Sequence, residues 1–182
     1  AAIAEAFVYK KSIITYDEKS TLTPDKEIER LLNAVNEFTT NTRELAEIIA
    51  KEVGEKEAGI LEGHIVMASD PEITNSIKTT IEGDGLTAEA ACEINFNMFR
   101  DLFSSMDDEL MQQRASDLSD IKTRLLEILT GIKSASLQDI SKPCILVTHD
   151  LTPSDTAQMN KQMVKGIVTE VGGYSSHTAI IA

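Results

Sequence analysis

The segment Gly172-Gly173-Tyr174-Ser175-Ser176-His177-Thr178, followed by the apolar run Ala179 to Ala182, concentrates residue types that could do chemistry. Two glycines let a backbone approach an anion closely, and the polar cluster before an apolar run predicts the start of a helix. A helix N-terminus presents unpaired N–H groups and a partial positive charge, which together suit phosphate. Gly172, Gly173 and the hydroxyls of Ser175, Ser176 and Thr178 are therefore candidate phosphate ligands. His177 beside them is the candidate nucleophile. A helix start disfavours an imidazolium by about 0.3–1 kcal/mol, leaving a ring nitrogen free to attack, and it stabilises a phosphate dianion once attached. One arrangement would serve both states of a phosphohistidine. A glycine turn that merely packs, with His177 as a cap, accounts for the same residues, so both readings stand on the motif alone.

Other chemistries fit less well. Ser176 and His177 are neighbours, which rarely meet in hydrogen-bond geometry, and no Gly-x-Ser-x-Gly elbow is present for a serine hydrolase. Three scattered histidines and two distant cysteines, Cys92 and Cys144, lack the spacing of a zinc site, so no metal is expected here and both thiols read as reduced, packed side chains. His149 beside Asp150 invites an acid–base reading, but a loop after a strand explains it as well. Thirty acidic against seventeen basic residues give a net charge of -13, which repels nucleic acid and anionic membranes and favours a basic protein partner. No apolar stretch is long enough to span a bilayer and no secretory signal opens the chain, so the reading is a cytoplasmic protein.

The elements that must position these residues are of two kinds. Residues 3–16, rich in β-branched and aromatic side chains, predict one or two strands. From Thr23 to Gly131 apolar residues recur at three and four. A first helix carries Ile28, Leu31, Leu32, Val35, Phe38, Leu45 and Ile49, enters through Thr23 and Pro24 and leaves at Gly54. A second runs through Ile60, Leu61, Ile65 and Ala68; Asp70-Pro71 caps a third, which stops at Glu82-Gly83-Asp84-Gly85. Thr87 caps a fourth with the stripe Ala91, Met98, Leu102 and Phe103, and the fifth, with Leu110, Met111, Leu118, Ile121, Leu125, Ile128 and Leu129, ends at Gly131. Amphipathic helices of this kind bury their stripes against one another. After Pro143 come a strand at Cys144 to Val147, a short helix opened by Thr152-Pro153, and a strand at Gly166 to Val171. The predicted fold is an α/β domain formed by residues 1–20 and 139–182, incomplete at its C-terminal side, with an all-α bundle inserted at residues 21–138.

The run from Gly172 to Ala182 resembles the phosphohistidine signature of the phosphoenolpyruvate-utilising enzymes, and His177 aligns with the phosphorylated residue. Asp150-Leu151-Thr152-Pro153-Ser154-Asp155-Thr156-Ala157-Gln158 and Glu62-Gly63-His64 are similar to the sugar-system branch, the phosphoenolpyruvate-protein phosphotransferases. The resemblance implies that His177 takes a phosphoryl group originating from phosphoenolpyruvate and passes it to the histidine-containing phosphocarrier protein, with Thr156 as an orienting hydroxyl. It implies that the bundle docks the carrier through Glu55, His64, Met67, Asp70 and Glu72, with Met111 and Arg114 facing them. The bland alternatives are a solvated face for the acids, core packing for the two methionines, and a surface or hydrogen-bonded core position for His64. The phosphoenolpyruvate and magnesium site would lie in a C-terminal domain outside this chain, in a full-length enzyme that forms a homodimer. Tyr174 departs from the branch, which usually has Arg there, and this removes a charged clamp on the phosphate. The alternatives in function are a synthase- or dikinase-type phosphohistidine domain, which would bring an ATP-binding domain instead of a docking bundle, and a non-catalytic helical adaptor.

Overall fold

The computed structural model describes residues 4–132 and 136–171. Gly172, Gly173, Tyr174, Ser175, Ser176, His177 and Thr178 lie outside the described residues, as does the helix expected after them. The order is β1 (Glu5–Val8), α1 (Pro24–Glu52), α2 (Glu55–Ala68), α3 (Pro71–Asp84), α4 (Ala88–Ser104), α5 (Glu109–Thr130), a 3-10 turn at Leu137–Asp139, β2 (Cys144–Thr148), α6 (Pro153–Gln158) and β3 (Val164–Thr169). All three strands are parallel, in the order β1-β2-β3. The five long helices thus form the excursion between β1 and β2, a helical bundle inserted in an α/β fragment.

Local chemistry sets the helix limits. Pro24 stands in the first turn of α1, where its missing N–H costs nothing. The Asp70 carboxylate accepts from the Glu72 N–H at 2.7 Å and the Thr87 hydroxyl from the Ala90 N–H at 3.2 Å, capping α3 and α4. Gly85 and Gly131 close α3 and α5 with φ of 61° and 71°, the left-handed conformation that favours glycine.

The main core lies between the helices and includes Leu31, Phe38, Ile77, Ile81, Phe96, Leu118, Ile121 and Leu125. Burying each such side chain contributes about 1.5–3 kcal/mol. A smaller cluster of Tyr9, Leu137, Ile140, Cys144, Leu146, Leu151 and Met159 backs the sheet. A third, with Leu45, Ala46, Ile49, Ala58 and Leu61, joins the far end of α1 to α2 and touches Ala157 of α6. Cys92 and Cys144 are buried and free.

Of the one or two strands expected in the N-terminal segment, one forms among the described residues, at Glu5–Val8; beyond Tyr9 the chain leaves the sheet, and Ile14 and Tyr16 pack on the helical core. Two expectations need correction. On α4 the buried face is Ala88, Ala91, Cys92, Asn95, Phe96 and Phe99, whereas Met98 and Leu102 are each half exposed. Ala91 of the expected stripe is buried, but beside it lie the small Cys92 and the polar Asn95, and the bulkier Met98 and Leu102 fall one step round the helix. Finally β3 spans Val164–Thr169, so Gly166 lies inside the strand, beside an irregularity in its pairing with β2. A Cβ there would come within 3.1 Å of the Ile145 side chain.

Candidate functional site

The parallel sheet places its ligand-facing loops at the C-terminal ends of the strands. There Val171 donates from its N–H to the His149 carbonyl at 3.0 Å, tying the end of β3 to the end of β2. Lys10 and Lys11 follow β1 at the same end and, with Thr148, His149, Asp150 and Glu170, line a hollow of about 620 Å³. His149 is exposed and pairs through Nδ1 with Glu170 at 2.9 Å, so it has a local electrostatic partner and is no buried base.

α6 follows β2 and carries Thr156. Thr152 and Asp155 form a reciprocal capping box, with Pro153 in the first turn. Thr156 is fully buried, and its hydroxyl donates to the carbonyls of Pro153, at 2.9 Å, and Thr152, at 3.2 Å. With its proton committed to the backbone, the oxygen has only lone pairs to offer a third group. The Asp155 carboxylate is fixed in turn by the Tyr9 hydroxyl at 3.2 Å and by Lys11 at 3.0 Å. Burial, then the charge and hydrogen bond of Asp155, push the Tyr9 hydroxyl well above its ordinary pKa, so it remains a donor.

On the bundle, α2, the start of α3 and the first half of α5 hold the expected docking residues. Glu55 and Glu72 are exposed, Asp70 is half-buried and engaged as the cap of α3, and Met111 and Arg114 are half-buried on the first half of α5. The Arg114 guanidinium passes over Gly63 of α2, which brings these two helices together at that point. Met67 is largely buried and belongs to the helical core, which favours packing for it. His64 departs from the expected surface position: its ring is completely buried, with Nε2 3.3 Å from Asp117 and Nδ1 3.7 Å from Asp120. The physical reason is helical phase, since Ala58, Leu61, His64 and Ala68 share the inward face of α2. Leu110, expected in the apolar stripe of α5, is exposed because it lies in the first turn, ahead of the buried run from Ala115; Val66 on α2 is exposed as well, and no motif marks it.

Asp120, Arg124 and Ser154 were also missed, because they meet only through tertiary structure. The Ser154 hydroxyl donates to Asp120 at 2.8 Å and accepts from Arg124 at 3.2 Å, joining α5 to the start of α6. The Arg124 guanidinium also stands 4.7 Å over the Phe38 ring of α1. Among the described residues no group of three or more His, Cys, Asp and Glu side chains is placed to hold a metal ion. Nor is any described helix long and apolar enough to cross a membrane.

Residues 1–114 match the family described as PEP-utilising enzyme, N-terminal, and residues 140–182 match that described as PEP-utilising enzyme, mobile domain. Proteins named phosphoenolpyruvate-protein phosphotransferase from Priestia megaterium, Bacillus subtilis and Listeria monocytogenes are 39%, 37% and 36% identical to this chain over 181 residues. Each alignment covers 100% of the chain and 32% of the relative, so the chain spans about a third of the length of the curated relatives it matches. The solution structure of an Enzyme I protein (nEIt) superposes with a TM-score of 0.83 at 36% identity, covering 99% of this chain and 73% of that one. The N-terminal domain of a nitrogen-system Enzyme 1 superposes with a TM-score of 0.72 at 25% identity, covering 99% and 74%. Sequence matches at both ends and a shared fold over nearly all of its length agree: the chain belongs to the PEP-utilising enzyme family, on the branch of the phosphoenolpyruvate-protein phosphotransferases.

Proposed function

We propose that this chain is the phosphohistidine and carrier-docking part of a sugar-system phosphotransferase. His177 accepts a phosphoryl group that originates from phosphoenolpyruvate and passes it to the histidine-containing phosphocarrier protein. The observation that carries the reading is Thr156: a buried hydroxyl with its proton given to the backbone, on a helix that follows the C-terminal end of a parallel strand. Such an oxygen accepts a hydrogen bond; in the orienting role we propose for it, it holds the protonated nitrogen of the His177 imidazole and leaves the lone pair of the other nitrogen to attack phosphorus. Gly172, Gly173, Ser175, Ser176 and Thr178 supply the donors for the phosphoryl oxygens. In-line transfer between two imidazoles asks the protein for positioning and charge stabilisation.

The helical bundle is read as residues 21–138, and Glu55, Asp70, Glu72, Met111 and Arg114 as the carrier-docking residues, with His64 and Met67 supporting them from beneath. Residues 1–20 and 139–182 are read as belonging to the phosphohistidine domain. The phosphoenolpyruvate site, the magnesium ion and the homodimer contact belong to the rest of the full-length enzyme, which works in the cytoplasm on the way to sugar uptake. The test is single-turnover transfer from phosphorylated carrier to this chain. Acid-labile and alkali-stable label is expected on the unaltered protein, at a low level, and none on His177→Ala. A docking-only protein would bind the carrier and take no label, and would behave identically after the substitution.

A further inference from the structure

The Asp120 carboxylate, on α5, is almost completely buried and faces two ways. Its Oδ2 accepts from the Ser154 hydroxyl at 2.8 Å and from the Ser154 N–H at 3.4 Å, at the second residue of α6. The same oxygen stands 3.7 Å from Nδ1 of His64, on α2. A carboxylate withdrawn from water is costly unless polar partners surround it, so its place is narrowly specified by those partners. α6 has six residues, too few to hold itself in place, and its capping box fixes only its own first turn. What seats it against the bundle in polar terms is Ser154, held between Asp120 and Arg124. Thr156 lies two residues further on and is fully buried.

From this geometry we infer that Asp120 is a positioning residue for phosphoryl transfer: through Ser154 it sets the place of α6, and hence of the Thr156 hydroxyl. This deepens the transfer reading and rests on it. The role assigned to Asp120 is one of placement through Ser154, not of chemistry. Its contribution is to lock the α/β part, where the transfer takes place, against α5, at a point where the buried His64 ring of α2 stands 3.7 Å from the same carboxylate. Reacting groups displaced by about 1 Å lose up to ~100-fold in rate, so a seat of this kind registers in the rate of transfer and not in the affinity for the carrier.

The test uses Ser154→Ala, which removes the hydroxyl and leaves the Thr152–Asp155 capping box, and Asp120→Asn, which keeps an acceptor oxygen in place. Two quantities are measured on the full chain: single-turnover transfer from phosphorylated carrier across carrier concentrations, and amide hydrogen exchange at Thr156 and Met159. For Ser154→Ala the limiting rate falls about tenfold while the half-saturating carrier concentration stays within about twofold. Exchange at Thr156 and Met159 accelerates about tenfold, and exchange at Phe96 of α4 is unchanged. Asp120→Asn stays within about threefold of the unaltered limiting rate. Unchanged exchange at Thr156 in Ser154→Ala overturns the inference, as does a loss confined to half-saturation. If the unaltered chain takes no phosphoryl group at all, the transfer reading falls, and the exchange measurement still decides whether this contact seats α6.

Discussion

Thr156 shows what a single buried hydroxyl is for when its proton is already committed. Its donation to the Pro153 and Thr152 carbonyls leaves an acceptor on the short helix that follows β2, and a valine in its place would keep the shape and lose the acceptor. Thr156→Val is therefore expected to fold with a melting temperature close to that of the unaltered chain and to transfer phosphoryl about 10–100-fold more slowly. Equal single-turnover rates would show that Thr156 only packs. At this scale the sequence was informative where a motif is local. The Gly-Gly turn with His177 can be read from adjacent residues, and Thr156 came from resemblance to a contiguous stretch. His64, Asp120 and Ser154 sit 56 and 34 positions apart in turn; Glu62-Gly63-His64 and the stretch around Ser154 carry a family resemblance, but nothing in the sequence pairs them with each other or with Asp120. Their meeting is a product of helix packing.

At the scale of elements, caps were legible and faces less so. Thr23-Pro24, Asp70-Pro71, Thr87, Gly85, Gly131 and Thr152-Pro153 each mark a boundary through backbone chemistry that acts within a few residues. The inward face of α4 depends on Ala91, Cys92 and the polar Asn95, which pair with neighbours that periodicity does not reveal. Glu27 is a similar case: it is buried on α1, bonds Ser20 and Arg30, and accepts from the Ala88 N–H at 3.0 Å, while Arg30 reaches Glu89 of α4. Burial raises its carboxyl pKa, but the hydrogen bonds from Ser20, Ala88 and Arg30 outweigh that and hold it below its ordinary value. A folded-state value below the unfolded one stabilises the protein above the unfolded pKa and ceases to do so as pH falls through the folded value. Glu27→Gln should thus cost about 1–3 kcal/mol at neutral pH, read by urea unfolding, and the gap should close in acid. A gap that stays constant into strong acid would mean that the charge of Glu27 does not matter.

For the whole molecule the decisive quantity is charge. A net charge of -13, with Glu55 and Glu72 exposed at the proposed docking face, steers a basic partner over distances set by the Debye length, about 8 Å at physiological salt. The association rate with the phosphocarrier should fall steeply as salt rises, and Glu72→Lys should lower it several-fold while changing dissociation less; a salt-independent rate would assign docking to Val66, Leu110 and their apolar neighbours. The two-part organisation was legible because strand-like and helix-like periodicities alternate along the chain, whereas the buried polar joint between the parts was not, since its members come from α2, α5 and α6. The account stands most directly on where the phosphoryl group goes. Peptide mapping by mass spectrometry after incubation with phosphorylated carrier, with digestion and separation kept at alkaline pH, locates it. The account predicts a phosphate on His177. A phosphate on Ser175, Ser176 or Thr178, or on His64 or His149, would contradict it.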